Sequence, residues 1–224
     1  MLNLDDAKAD KENVYFFASA TPLDGPAQII LRARKKDGEA GNSTVKLRTT
    51  DGAAPTGELA GKLGSEEDWT DAVRGTISPS LDQDPLAEGL FQFFVDGKVT
   101  VAVLFDEKKK ALVEEQSHAF PWAGLKIFGP AKALVWKENV QLPGLAGTIT
   151  VESWVLEKHG TRREVLELSV KVKAHTPEEI KAQVKTFFDA VNEQALPQWN
   201  KGSPGPEAFV VGSEEDHRNA WSSP

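Results

Sequence analysis

Apolar and polar positions alternate most regularly in two stretches of the chain. In residues 30–48, ILRARKKDGEAGNSTVKLR, Leu31 and Ala33 fall on one face of a strand and Arg32 and Arg34 on the other. The return segment keeps that order: Lys46 and Arg48 share a face with Thr44, while Val45 and Leu47 point away. Asp37-Gly38 and Gly41-Asn42 supply turn chemistry between them. Residues 148–173, TITVESWVLEKHGTRREVLELSVKVK, read as a second hairpin turning at His159-Gly160. Thr148, Thr150, Glu152 and Trp154 share one face there, and Glu167, Ser169, Lys171 and Lys173 form the polar face of the return strand.

Elsewhere the periodicity changes. Residues 98–105, KVTVAVLF, are rich in β-branched residues and predict a strand, followed by a short helix over DEKKKALVEEQ with Asp106 at its N-terminus. GLKIFGPAKALVWKENVQL predicts one or two strands around Gly129-Pro130. Ile180, Val184, Phe187, Phe188 and Val191 recur at helical spacing. That helix opens on Thr176 as N-cap, Pro177 at the first helical position and Glu179 completing a capping box. Residues 50–89 have weak periodicity and many Gly, Pro, Asp and Glu, which predicts an irregular excursion with short elements at most. The expected organisation is a polar segment over 1–11, a folded domain over 12–195 and a Pro/Gly/Ser-rich flexible tail over 196–224, whose AFVV is suited to docking.

Composition narrows the function classes. The chain has 224 residues, of which 40% are hydrophobic and 27% charged, enough for a substantial core. It contains no cysteine, which excludes disulfides, thiolate chemistry and Cys-ligated metal. No apolar run has the ~18 residues of a membrane span, and the acidic start lacks signal-peptide order, so the expectation is a cytoplasmic protein without a membrane partner. A formal net charge of −8 argues against a nucleic-acid polymer as partner. The charge is uneven, however: residues 28–48 are basic, while GSEEDWTD (64–71) and SEED (213–216) are acidic. A local basic surface in an acidic protein suits a small polyanion.

Four cations on adjacent strands repel one another unless something compensates them. Water does so if the face is open, and a polyanion does so if the sheet curls with its polar face inward. Alternation fits either. Other chemistries find no support: His118, His159, His175 and His217 are scattered without metal-ligand spacing, and no P-loop or nucleophile elbow occurs. Trp136 and Trp154 read as packing residues.

The ordered series VYFFASATPLDGPAQIILRARKK, STVKLR, IFGPAKALVWK, ITVESWVL and EVLELSVKV resembles the CYTH-like domains of the triphosphate tunnel superfamily, from about Val14 to Val191. The resemblance implies an α+β fold in which an antiparallel β-sheet curls into a tunnel or half-open barrel with flanking helices. It implies phosphate-binding roles for Arg32, Arg34, Lys46, Arg48, Lys137 and Lys171, and metal-binding roles for Glu152 and Glu167 toward Mg2+ or Mn2+. The implied activity is metal-dependent hydrolysis of a triphosphate or inorganic polyphosphate. The chain departs from the family pattern in lacking the opening Glu-x-Glu-x-Lys strand, in carrying Ala20 where an Asp precedes Thr-Pro, and in having no basic residue within VTVAVL. The first strand is therefore either lost or upstream of Met1. A non-catalytic polyphosphate- or nucleotide-binding module is the alternative, and a scaffold with merely solubilising charges is a third.

Overall fold

The computed structural model describes residues 5–20, 23, 27–49, 55–63, 67–69, 75–82, 85–137, 148–158, 161–171, 176–191 and 208–210. The architecture is α+β, with antiparallel β-pairing and helices packed on the sheet. The chain divides into two compact units, one of Glu12–Asp68 and Gly75–Ala131, the other of Met1–Lys11, Trp69–Arg74 and Lys132–Pro224.

The first unit, here called the basic unit after the cations of its β2–β3 face, is built on β1 (Asp10–Ser19), β2 (Ala27–Lys36) and β3 (Asn42–Thr49). Two short strands, β4 (Glu67–Trp69) and β5 (Gly75–Ile77), pair with each other, and β6 (Ser80–Asp82) extends the sheet beyond β3. Helices α1 (Leu90–Val95) and α2 (Glu107–Gln116) follow, then the long strand β7 (Leu125–Lys137), whose first half belongs here beside β1. The β2–β3 register pairs Arg32 with Thr44 and Ile30 with Lys46, so the expected faces are the observed ones. Tyr15, Phe17, Ile29, Leu31, Val45 and Leu47 turn to the helices and bury against Phe91, Phe94, Leu104, Phe105, Leu112 and Val113. Each such side chain stabilises the unit by about 1.5–3 kcal/mol through burial. Tyr15 meets Phe94, and Phe17 meets Phe105, edge to face at 5.2 and 6.0 Å between ring centres.

Helix α2 begins as the sequence implies, with the Asp106 carboxylate accepting from the Lys109 amide at 2.8 Å. The strand expected over 98–105 is not there. Val101–Leu104 form a 3-10 helix instead, with Val101, Leu104 and Phe105 buried and Val103 exposed. Burial at a spacing of three to four outweighs the β-branched composition, because packing against a core decides strand preference more than the residue type does. Gly129 of β7 has φ +131°, and a Cβ there would lie 2.7 Å from the Val14 carbonyl oxygen, so only glycine lets β7 come this close to β1.

The second unit, here called the acidic unit after its opposed Glu152 and Glu167, contains the second half of β7, then β8 (Thr148–Lys158), β9 (Thr161–Lys171), α3 (Pro177–Ala190) and β10 (Ala208–Val210). Strand β7 pairs with β8 and β8 with β9, the latter without interruption from Thr148↔Lys171 to Lys158↔Thr161. Trp136, Ile149, Val151, Leu166 and Leu168 form one face, buried against Phe187 and Val191. The Thr176 hydroxyl accepts from the Glu179 amide and the Glu179 carboxylate accepts from the Thr176 amide, completing the expected capping box. Ala208–Val210, from the AFVV segment, lies parallel to Val165–Glu167 as an edge strand. The rest of the 196–224 segment, with its 213–216 acidic run, and the His159-Gly160 turn lie outside the described residues.

Candidate functional site

Strand alternation places Arg32, Arg34, Lys46 and Arg48 on the face of β2–β3 turned away from the helices. That face is not an open one. Val14 and Phe16 of β1, which share it, are each 1% exposed, and Ile30 is 4% exposed. The side chains of Lys46 and Arg48 are 14% and 7% exposed, and Arg32 and Arg34 are half-buried or nearly so.

Burial of this kind demands partners. The Lys46 ammonium lies 2.7 Å from Asp68 Oδ2, and the Arg48 guanidinium donates to the same oxygen at 2.9 Å. Arg48 also donates through Nε to the Ser78 hydroxyl at 3.2 Å. Arg32 donates to Thr44 Oγ1 at 3.3 Å, and the Thr44 hydroxyl donates in turn to Asp82 Oδ1 at 2.7 Å. Arg34 donates to Asn42 Oδ1 at 3.3 Å and lies 4.0 Å from the buried Glu12 carboxylate. The face is thus a ladder of cations, hydroxyls and acids drawn from β1, β2, β3, β4 and β6. Burial pushes the Asp68 carboxyl up, but Lys46 and then Arg48 outweigh it, holding the group below the ordinary carboxylate value and ionised at neutral pH.

The acidic stretch 64–71 shows in the charge pattern, yet nothing local in it singles out Asp68. The signal for such a partner is the need itself: buried cations on one face, and an acidic run within reach of a connecting excursion. Ser78, Thr44 and Asp82 likewise carry no sequence mark beyond strand register.

The remaining candidates sit in the acidic unit. Lys137 is 52% exposed and lies 3.8 Å from Asp10 Oδ2. Lys171 pairs with Thr148 at the end of β9, and its side chain lies outside the described set. Glu152 and Glu167 are directly opposed across β8–β9, both half-buried. Val135 stands opposite Glu152 on β7, and Lys137 opposite Thr150, which puts Lys137, Glu152 and Glu167 on one sheet face. Trp136 and Trp154 are buried, and Trp136 Nε1 donates to the Asp5 carbonyl at 3.0 Å, which makes it a packing residue as expected.

As a metal site, the opposed glutamates offer hard oxygen donors of the kind Mg2+ or Mn2+ takes. Among the described residues no group of three or more His, Cys, Asp and Glu gathers around one point. A pair of carboxylates is a donor set that Mg2+ takes when other oxygen ligands and water complete its shell.

One carboxylate elsewhere is structural. Glu115 of α2 accepts from the Leu59 and Ala60 amides at 3.0–3.1 Å and so anchors the turn over Ala60–Lys62. Burial pushes its carboxyl up, but these amide donors prevail and lower it.

No protein-family model matches the chain, and no curated protein matches it. No helix among the described residues is long and apolar enough to cross a membrane.

Proposed function

We propose that the chain binds a compact polyanion, a triphosphate or short polyphosphate, through Arg32, Arg34, Lys46 and Arg48. One observation carries this reading: Lys46 and Arg48 are buried side by side around a single carboxylate oxygen, with Arg32 and Arg34 on the same face. Ammonium and guanidinium groups with neighbouring hydroxyls are the donor set that phosphate oxygens take, and low exposure strengthens each contact. A merely solubilising surface would leave such charges in water. The reading treats the chain as a divergent relative of the CYTH-like domains. The test is calorimetric titration with tripolyphosphate and ATP. The double variant Arg32→Ala/Lys46→Ala is expected to bind at least ~10-fold more weakly, since each lost charge-assisted hydrogen bond costs about 1.5–3 kcal/mol. Unchanged affinity would remove the proposal.

Metal-dependent hydrolysis of a triphosphate or inorganic polyphosphate is a second reading, favoured by the opposed Glu152–Glu167 pair. A divalent ion held there would supply Lewis-acid polarisation of a phosphoryl oxygen. Phosphate release from tripolyphosphate, ATP and thiamine triphosphate with magnesium or manganese tests it, with Glu152→Gln and Glu167→Gln as controls. Binding without release selects the non-catalytic module.

A further inference from the structure

The basic face already holds an anion, and that anion belongs to the chain. Asp68 Oδ2 sits within hydrogen-bonding distance of Lys46 Nζ and the Arg48 guanidinium, at 2.7 and 2.9 Å. Its oxygen stands where a phosphoryl oxygen would bridge the same two donors. We propose that the Asp68 carboxylate is a built-in competitor for the seat between Lys46 and Arg48, and that a phosphate chain binds by displacing it. This rests on the polyanion-binding reading and adds its regulation.

The placement of Asp68 is what makes displacement feasible. Lys46 and Arg48 belong to β3, which is ladder-bonded on both sides by β2 and β6. Asp68 belongs to a three-residue strand whose ladder partner, β5, is equally short, and the pair is a separate two-stranded sheet. A two-stranded ribbon of this length has little stability of its own. The cations are therefore fixed and the anion is on the weakly held element. Beside it, Glu67 is exposed, and alternation along the strand turns Asp68 to the opposite face, toward the seat.

The energetics set the direction of the effect. A tethered carboxylate competes at a high effective concentration, in the millimolar range for short links. The observed affinity of any ligand is the intrinsic one reduced by the fraction of molecules whose seat is open. A phosphate chain brings more charge and several oxygens, and it can engage Arg32 and Arg34 together with Lys46 and Arg48. Asp68 offers one oxygen to two donors. Removing its charge should therefore tighten binding, the opposite of what loss of a contact residue does.

Three proteins are titrated with tripolyphosphate: the wild type, Asp68→Asn and Lys46→Ala. Amide hydrogen exchange is followed in the wild type with and without the ligand. The expected result is roughly tenfold tighter binding by Asp68→Asn, equivalent to about 1.4 kcal/mol, weaker binding by Lys46→Ala, and faster exchange over 67–69 and 75–77 on saturation of the wild type. If the wild type binds, Lys46→Ala loses affinity and Asp68→Asn gains none, the competitor is overturned while the binding face stands. Retained exchange protection over 67–69 in the saturated wild type overturns it as well, and does so even if Asp68→Asn fails to fold. Absence of tripolyphosphate binding by both the wild type and Asp68→Asn overturns the competitor and the binding face together.

Discussion

The two units solve the same problem differently. Each has strands with one apolar face under helices and an opposite face on which charged side chains, placed by alternation, stand among buried apolar ones. In the basic unit Arg32, Arg34, Lys46 and Arg48 of the β2–β3 face each meet an acceptor, supplied by β1, β3 or β4 or by Ser78. Opposite charges and hydroxyls are interleaved there, and burial is correspondingly deep. In the acidic unit the central cross-strand pair is Glu152 against Glu167, like against like. Alternation fixes which residues share a face, but it says nothing about how they are compensated. Compensation is a tertiary property, and in the basic unit it comes from a connecting excursion without marked periodicity of its own.

The sharpest way to break this contrast is to remove the same chemical group from each unit. Arg48→Ala takes a buried guanidinium away from Asp68 and Ser78, leaving a partly buried carboxylate with one cation fewer. Stability is expected to fall by about 3 kcal/mol, at the low end for a broken buried pair because Asp68 keeps Lys46. Arg162→Ala removes an exposed guanidinium paired with Glu164 in the acidic unit and should change stability by less than about 0.5 kcal/mol. Urea unfolding midpoints measure both. Equal losses would mean that the basic face is no better built than an ordinary surface.

Acid titration sharpens the same point. The Asp68 carboxyl is held below its ordinary value, with Lys46 and Arg48 the groups responsible. A depressed folded-state value contributes stability that is fully present above the unfolded carboxylate value, about 3.9, and is lost as pH falls through the folded value. Glu115 is lowered too, by the Leu59, Ala60 and Glu58 amides, and contributes in the same sense. Wild-type stability should decline as pH drops below about 4. Asp68→Asn should flatten that decline, and Asp68→Asn/Glu115→Gln should flatten it further. An unchanged slope in the double variant would show that neither carboxylate is coupled to folding.

How much of this could be read from residues alone follows from the range of the interactions. The β2–β3 and β8–β9 hairpins, the caps at Asp106 and Thr176 and the stripe of α3 are local or periodic, and each appears where expected. The 3-10 helix over Val101–Leu104 was not legible, because four β-branched or aliphatic residues in a row take their geometry from the core they enter. Helix α1 is a six-residue, phenylalanine-rich segment bounded by Gly89 and Gly97, both at positive φ, and its composition gives no helical preference. Phe91 and Phe94, one turn apart, hold it in place by burial. For the site, the four cations and their shared face were legible. The Asp68 contact was not, since it joins residues 20 and 22 positions apart through a segment with no pattern.

The caps give a smaller pair of effects. Asp106→Ala removes an N-cap acceptor and also the carboxylate 3.4 Å from the buried Lys109 ammonium, for an expected loss of about 2 kcal/mol. Thr176→Ala removes an exposed cap in the acidic unit, for about 1 kcal/mol. Thermal or urea unfolding resolves that difference, and its reversal would mean that the Asp106–Lys109 contact adds nothing to the cap.

The smallest expected effect separates stability from binding at Lys137. Its ammonium is half exposed and 3.8 Å from Asp10, so Lys137→Ala should alter stability by roughly 0–0.5 kcal/mol, as exposed ion pairs do. Its value lies in the comparison with Lys46→Ala, which removes a buried lysine held by Asp68. A solvent-facing lysine that helps to bind a phosphate chain contributes through screened attraction, so its contribution fades as salt rises toward 0.5 M. A buried one contributes through a short, desolvated contact and persists. Tripolyphosphate titrations of both variants at low and high salt should therefore show a loss for Lys46→Ala at either ionic strength. Any loss for Lys137→Ala should appear at low salt alone. A salt-resistant loss at Lys137 would place that lysine in direct contact with the ligand.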